Sequence, residues 1–290
     1  MKKILHKIYQ AIPFKREIYL VLRKFIKLPH RWYQHFYFKG VFPTKINSSS
    51  FLMMNYGYQF HVENEYFWGG IHNGWEKVST DLWIQLCEDA DVVFDIGANT
   101  GCFSLIAKTL RPDAKIYAFE PMEGILKKLR YNMELNHYDV HVEPKALSNY
   151  DGKATIYPTS LDHVYSVTVN TNMFADQQVH KVTIPTCRLD HFIEQHQIKK
   201  IDLMKIDVET HEPEVLEGMG KYLKEMKPNM LIEIQTSEIG EKIEKLIEGI
   251  GYVFYNIHEE KGVRKVTSLT KSDWLNYLIC HPEFAAKHQL

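Results

Sequence analysis

Between residues 92 and 110 the chain passes from an apolar run to a helical period within a few positions. Val92, Val93, Phe94 and Ile96 read as a buried strand interrupted only by Asp95, and Phe103, Leu105, Ile106 and Leu110 recur at helical spacing. The same change repeats downstream. Strand 115–119 precedes helix 122–136, and strand 139–143 runs into a connection through Ala146, Leu147 and Ser148. Strand 201–208 precedes helix 212–224, strand 229–234 precedes helix 237–249, and strands 252–257 and 274–280 close the series. Asp190 is placed to cap a helix reaching about Gln197. Alternation of this kind predicts an α/β fold with a doubly wound, mostly parallel sheet and right-handed crossovers.

Upstream the pattern differs. Ile4, Leu5, Ile8, Tyr9 and Ile12 precede Pro13, and Ile18, Leu22, Phe25 and Ile26 precede Pro29, all at helical spacing among basic residues. Residues 1–45 therefore read as a basic amphipathic arm, which either lies on an anionic membrane surface or packs on the main domain as a helical cap. Residues 51–68 predict two short strands around Gly57, Gly69 to Gly74 a loop, and Trp75 to Cys87 a helix. Residues 46–90 would then form N-terminal strands and a helix packed on a core domain at 91–290. Within that domain, residues 152–185 break the rhythm: Lys153–Tyr157 and Val179–Ile184 read as arms of a β-hairpin insertion around a polar excursion.

Composition narrows the picture. The 290 residues, 45% of them hydrophobic, suffice for one large α/β domain with additions or for two small ones. The formal net charge of −1 conceals +9 over residues 1–40, where Glu17 is the one acid, and −10 over the rest. A basic arm on an acidic body argues against a general nucleic-acid binder and suits an anionic surface. Cys87, Cys102, Cys187 and Cys280 show neither a C-x-x-C pair nor zinc-ligand spacing, so a disulfide framework is not expected. No apolar run reaches the roughly 18 residues of a spanning helix. The expectation is a cytoplasmic protein, at most peripheral to the inner face of the membrane.

The chemistry begins at Asp95, Gly97, Asn99 and Gly101, where a strand ends in a tight turn that opens a helix. Such a turn forms the floor of a nucleotide-shaped crevice. Its D-x-G-x-x-x-G spacing departs from the G-x-G-x-x-G dinucleotide fingerprint. Glu120 ends the next strand, placed to accept hydrogen bonds from a ribose diol, and Pro121 follows. A carboxylate beside the turn repels pyrophosphate and attracts a cation, which favours S-adenosylmethionine, with its ammonium and sulfonium, over NAD.

A second centre is Lys205, Asp207 and Glu209, three charged residues on one face of an apolar strand. Alkylating a hydroxyl requires in-line positioning and removal of its proton. Asp207 is the first candidate for base by position, His211 the second, and Glu209 the third. Two acids are too few for a required metal, and none is expected. In the insertion, Ser160, Asp162, His163, Tyr165, Ser166 and Asn170 offer the hydrogen bonds and aromatic face of a sugar site, with His163 and Tyr165 foremost alongside Lys205. Trp68, Trp75 and Glu76 are placed to close over the methionine end of the cofactor, with Glu76 pairing its ammonium.

Val-Phe-Asp-Ile-Gly-Ala-Asn-Thr-Gly at 93–101, Tyr-Ala-Phe-Glu-Pro at 117–121, Asn132, Asn136, Ala-Leu-Ser at 146–148, Arg-Leu-Asp at 188–190, Met-Lys-Ile-Asp-Val-Glu at 204–209 and Glu-Val-Leu-Glu-Gly at 214–218 resemble, in this order, the FkbM family of S-adenosylmethionine-dependent methyltransferases. The resemblance implies a Rossmann-like class I methyltransferase sheet of seven strands in the order 3-2-1-4-5-7-6. It also implies O-methylation of a hydroxyl on a sugar, polyketide or other secondary metabolite, and it adds Pro121 and Ala146 to the cofactor-binding set. Glu-Asn-Glu-Tyr-Phe-Trp-Gly-Gly at 63–70 and Trp-Glu-Lys at 75–77 resemble members found among surface-polysaccharide enzymes, for which a nucleotide- or lipid-linked sugar is the expected acceptor. N-methylation of an amino sugar, methylation of a non-sugar metabolite, and an inert membrane-docked subunit are the alternatives. Thr210 and His211 depart from the pattern, which commonly has glycine and then a small residue after this glutamate.

Overall fold

The computed structural model describes Tyr9 and residues 12–58, 60–156 and 181–290. It comprises two compact units, one ending at Trp75 and one running from Glu76 to Leu290. The expected boundaries at 45 and 90 do not hold. Strand β1 (Gly40–Ile46) pairs antiparallel with β2 (Ser49–Asn55) across the first of them, and the helix expected before residue 90 belongs to the second unit.

In the first unit, helix α1 (Lys15–Leu22) and a 3-10 turn (His30–His35) precede the β1–β2 hairpin, and α2 (His61–Gly69) follows. Phe42, Ile46, Phe51 and Met53 alternate inward from the hairpin onto Phe38, Tyr66 and Phe67. The segment expected as a second strand after Gly57 is α2. It buries Glu63, Asn64, Tyr66 and Phe67, a helical spacing, and Asn64 is bonded to Asn55 and to the Tyr33 carbonyl. Trp68, expected near a cofactor, lies against Phe36, Tyr19 and Phe67, with its Nε1 donating to the Phe36 carbonyl.

The second unit opens with α3 (Lys77–Cys87), tied in by Trp83 Nε1 donating to Phe103 O and by Ser79 bonding Glu259. There follow β3 (Val92–Ile96), α4 (Cys102–Leu110), β4 (Lys115–Phe119), α5 (Glu123–Leu135) and β5 (His141–Glu143). Next come the short strands β6 (Ala146–Ser148), β7 (Gly152–Ile156) and β8 (Val182–Arg188), then α6 (Leu189–Gln195), β9 (Leu203–Ile206), α7 (Glu212–Met219), α8 (Tyr222–Met226), β10 (Asn229–Glu233) and α9 (Ser237–Leu246). Strands β11 (Val253–His258), β12 (Gly262–Val266) and β13 (Asn276–Cys280) and helix α10 (Pro282–Lys287) complete it.

The main sheet runs β5-β4-β3-β9-β10-β13-β11-β12. Its first five strands are parallel, and β13 is antiparallel to both neighbours. Taken in chain order, the first seven are strands 3-2-1-4-5-7-6. The eighth, β12, was not expected. It is an edge strand with Arg264 and Lys265 exposed, so no apolar run marks it. The core lies between the sheet and its helices, with Phe94, Ile96, Met204, Ile206 and Ile232 packed against Leu189, Phe192, Val215, Leu216 and Ile243.

Three further expectations change. Residues 146–148, read as a connection, are β6, which joins β8 and β7 in a separate three-stranded sheet. Asp190 is not the cap of α6 because the helix starts one residue earlier, at Leu189; its carboxylate accepts from Arg188, Nε to Oδ1 at 3.0 Å and Nη2 to Oδ2 at 2.6 Å, and from His191 N, while Arg188 Nη1 donates to Asn149 O. Helix 212–224 is broken at Gly220, whose φ of 56° ends α7. The arms of the insertion form the β7–β8 pair. His163, Tyr165 and the other polar residues proposed between the arms lie outside the described residues.

Candidate active site

The turn after β3 is set by what presses on it. Gly97 has φ +79°, and a Cβ there would stand 1.9 Å from the Asp207 carbonyl oxygen. Asp207 N donates to Ile96 O at 3.0 Å, so the ends of β3 and β9 are locked together. The Phe119 carbonyl, at the end of β4, accepts from both Gly97 N and Ala98 N. At Gly101 a Cβ would meet Leu129 Cδ1 at 2.3 Å and Met133 Cε at 2.8 Å, so this glycine serves the approach of α5. Asn132 Nδ2 donates to Thr100 O at 2.8 Å from the same helix.

The two acids at the turn are buried and bonded to protein. Asp95 Oδ2 accepts from Ser104 N at 2.9 Å and from Ser104 Oγ at 2.6 Å, which fixes the first turn of α4. At 1% exposure Asp95 is turned onto the helix it orients. Burial raises its pKa to about 6. Glu120 accepts from Asn99 N at 3.1 Å through Oε2 and from Met122 N at 2.8 Å through Oε1, clipping the turn to the end of β4. Asn99, at φ +50°, occupies the left-handed region that asparagine tolerates. Burial lifts Glu120 to about 7 although both N–H bonds pull the other way. Each carboxylate oxygen retains a lone pair for a hydroxyl donor. Pro121 leads from Glu120 towards α5. Ala146 stands opposite Thr186 in the small sheet, against the cluster of Met122, Ile125 and Ile184.

Beside the turn is a second set of charges. Lys205 is 1% exposed, its Nζ donates to Asp207 Oδ2 at 3.0 Å, and it sits 5.2 Å from the Phe103 ring centroid. Burial works against its charge, but Asp207, Glu76 and Glu233 outweigh burial and its pKa is raised. Burial pushes Glu76 up to about 7, with Lys205 lowering and Asp207 and Glu233 adding to the rise. Glu233, at the end of β10, is lifted to about 7 by burial and by Asp207, to which it is hydrogen-bonded. The side chain of Asp207 is 36% exposed, which leaves it open to a reactant.

Not all the expected site residues meet here. The strand ends at Ile206, earlier than expected, and Glu209 lies in the following turn, where its Oε2 accepts from Gln235 Nε2 at 2.6 Å. His211 faces Ser148 Oγ at 3.0 Å and Glu214 Oε2 at 3.5 Å. Burial lowers its pKa, and the charges acting on it are Glu214 and Glu217 rather than Asp207. Glu233, Gln235 and Glu212 were missed. Glu233 and Gln235 carry the same signal as Lys205 and Asp207, polar residues at alternate positions where the apolar run Met230-Leu231-Ile232 ends. Glu212, in the first turn of α7, is fully buried. Its Oε1 accepts from Val208 N and Thr210 N, and burial pushes its pKa to about 8.

That carboxyl holds an unusual backbone. Glu209 and Thr210 have φ of +54° and +81°, and for β-branched Thr210 this is a strained conformation. Glycine there should stabilise the second unit by about 1 kcal/mol, since the strain released exceeds the added chain entropy. Denaturant unfolding of Thr210→Gly will show the midpoint rise.

Parallel strands ordered 3-2-1-4-5, an antiparallel strand inserted before the sixth, a glycine turn ending the first strand and an acid ending the second, together with the family match that follows, define a class I, S-adenosylmethionine-dependent methyltransferase. Residues 95–254 match the Methyltransferase FkbM domain, and the chain belongs to that family. It is 31% identical over 190 residues to methyltransferase sdnD of Sordaria araneosa, covering 55% of this chain and 73% of that one. It is 28% identical over 168 residues to the hexuronic acid methyltransferase AglP of Haloferax volcanii, covering 57% of this chain and 65% of that one. The crystal structure of methyltransferase FkbM from Methylobacillus flagellatus superposes with a TM-score of 0.43 at 14% identity, over 66% of this chain and 43% of that one.

S-adenosylmethionine is the methyl donor, and the side chains fit it. Asp95 and Glu120 flank the turn with negative charge, and Glu76, Asp207 and Glu233 surround Lys205. An ammonium and a sulfonium relieve that excess of acid, whereas a pyrophosphate would add to it. When bound, the donor supplies an electrophilic methyl group.

Proposed function

We propose that this enzyme methylates a hydroxyl group of a sugar, carried on a nucleotide or lipid, during assembly of a surface polysaccharide or glycoconjugate. The observation that carries the reading is Asp207. It lies at the carboxyl end of β9, against the donor turn through Gly97, and is held between Lys205 and Glu233. The Haloferax relative, a hexuronic acid methyltransferase, supports the sugar. In this reading Glu120 takes the ribose hydroxyls and Glu76 the donor's ammonium. The acceptor oxygen bonds to the methyl carbon as the carbon–sulfur bond breaks and sulfur keeps the electron pair. Asp207 accepts the hydroxyl proton, and Glu233 shares it through their hydrogen bond. The free, buried cysteines at 87, 102, 187 and 280 accord with a reducing, cytoplasmic setting.

Incubation with labelled donor and a panel of nucleotide sugars and uronic acids tests this. Label in an ether methyl group of one sugar is the expected product, and a folded, donor-binding enzyme that labels none of them overturns the sugar assignment. A pH profile adds a second check. Because Glu233 ionises near 7 and shares the proton that Asp207 accepts, kcat/KM should rise with pH and level off above about 7. Glu233→Gln should remove that limb of the profile.

An amine acceptor is the second reading, favoured by the same excess of acid around Lys205, which would also hold an ammonium. A neutral amine needs less help in losing its proton, so loss of Asp207 would then have a small effect.

A further inference from the structure

Helix α1 is built with its polarity reversed. Its basic side chains are turned towards the unit it belongs to: Arg16 Nε donates to Val41 O, Arg23 Nη1 donates to Phe67 O, and the Arg23 guanidinium lies 4.5 Å from the Phe67 ring centroid. Tyr19, on the same side, is buried and bonded to Tyr9. Phe14, Ile18, Val21 and Phe25 recur at steps of four, three and four residues, forming one stripe that continues past the helix end, and they are 74, 46, 55 and 81% exposed. Ile12, Ile26 and Trp32, also exposed, extend this apolar surface. An apolar patch of this size facing water marks an interaction surface.

We propose that the N-terminal unit docks on an anionic lipid bilayer through this stripe, with α1 lying in the interface. Charge selects the occupant. Lys24, Lys27, Arg31 and Lys39 are exposed around the patch, and Glu17 is the one acid between residues 12 and 40. A second copy of the chain using the same face would bring like charge against like. Anionic headgroups neutralise those cations while the aromatic and aliphatic side chains enter the acyl boundary. Among the described residues no helix is long and apolar enough to cross the membrane.

The test uses the full chain and vesicles of phosphatidylcholine with or without phosphatidylglycerol. The chain should sediment with the anionic vesicles, much less with pure phosphatidylcholine, and less as salt is raised. The Val21→Ser/Phe25→Ser double variant should lose more than about tenfold in partitioning, and Lys24→Gln/Lys27→Gln about tenfold. Circular dichroism and donor binding of both variants should match the parent, because the substituted side chains are exposed. A blue shift of Trp32 emission on vesicle binding, absent in Trp32→Phe, would place the patch in lipid. Parent protein left in the supernatant with anionic vesicles at low salt overturns the proposal. So do variants that bind as well as the parent, or self-association without vesicles that the same substitutions abolish.

Discussion

An alanine at position 97 should destabilise the catalytic unit by at least about 3 kcal/mol and remove measurable methyl transfer. Two costs combine at this residue. The backbone at φ +79° is one that alanine adopts with strain, and the new methyl would lie 1.9 Å from the Asp207 carbonyl oxygen. That oxygen belongs to a backbone held by the Asp207 N–Ile96 O bond, so it cannot swing aside as a side chain would. Relief requires β3 and β9 to separate at the point where the donor turn and Asp207 meet. Two other glycines calibrate the result. At Gly249, φ is +77° with nothing within 4 Å of a Cβ, so alanine meets the backbone cost alone, about 1 kcal/mol. At Gly101 the added methyl meets the side-chain ends of Leu129 and Met133, which can shift, and the loss should fall between the two. Urea unfolding of the three variants orders them, and donor calorimetry reports the crevice. If Gly97→Ala unfolds no more easily than Gly249→Ala, the locked strand ends do not matter to the fold.

Asp207→Asn should lower kcat by about 10²- to 10⁴-fold while leaving donor affinity within a few-fold. The amide is nearly isosteric, so the turn and the Ile96 bond remain. What disappears is the carboxylate proposed as the proton acceptor, and with it the negative charge opposing Glu76 and Glu233. Since that charge helps raise both groups to about 7, each should ionise at lower pH in the variant. The residual activity should therefore shift its pH dependence downward as well as fall. Turnover within about threefold of the parent on a hydroxyl acceptor would remove Asp207 as base and point to the amine reading.

Much of this architecture was readable where one strong local signal sufficed. Helix Cys102–Leu110 and strand Lys115–Phe119 follow the apolar periodicity to the residue, and the turn between β3 and α4 is punctuated by Gly97 and Gly101. Reading failed where the deciding neighbour is remote in sequence. Gly97 is glycine because of Asp207, and Gly218 because a Cβ would stand 2.0 Å from the Ser148 carbonyl. Glu233 enters the site because β10 lies beside β9; the expected strand order contains that pairing, but the register that brings Glu233 level with Asp207 does not follow from it. Glu212 gave no signal because an acid in a first helical turn is usually solvated, whereas this one accepts from Val208 N and Thr210 N of the left-handed turn. The departure of Thr210 and His211 from the family pattern was visible in sequence. Its outcome, a threonine in the backbone region glycine favours and a histidine bonded to Ser148 instead of joining Asp207, needed coordinates.

The small sheet β6-β8-β7 gives the enzyme a detachable front. Ile156 and Val182 stand opposite one another in register at its mouth, and Arg188, Asp151, Asn149 and Asp190 tie down its base. Residues 156 and 182 are thus anchored neighbours, and the entropic cost of joining two fixed ends grows only slowly with the length of chain between them. Segments of different length and composition can be exchanged there while β3, β4 and β9 keep the donor crevice unchanged.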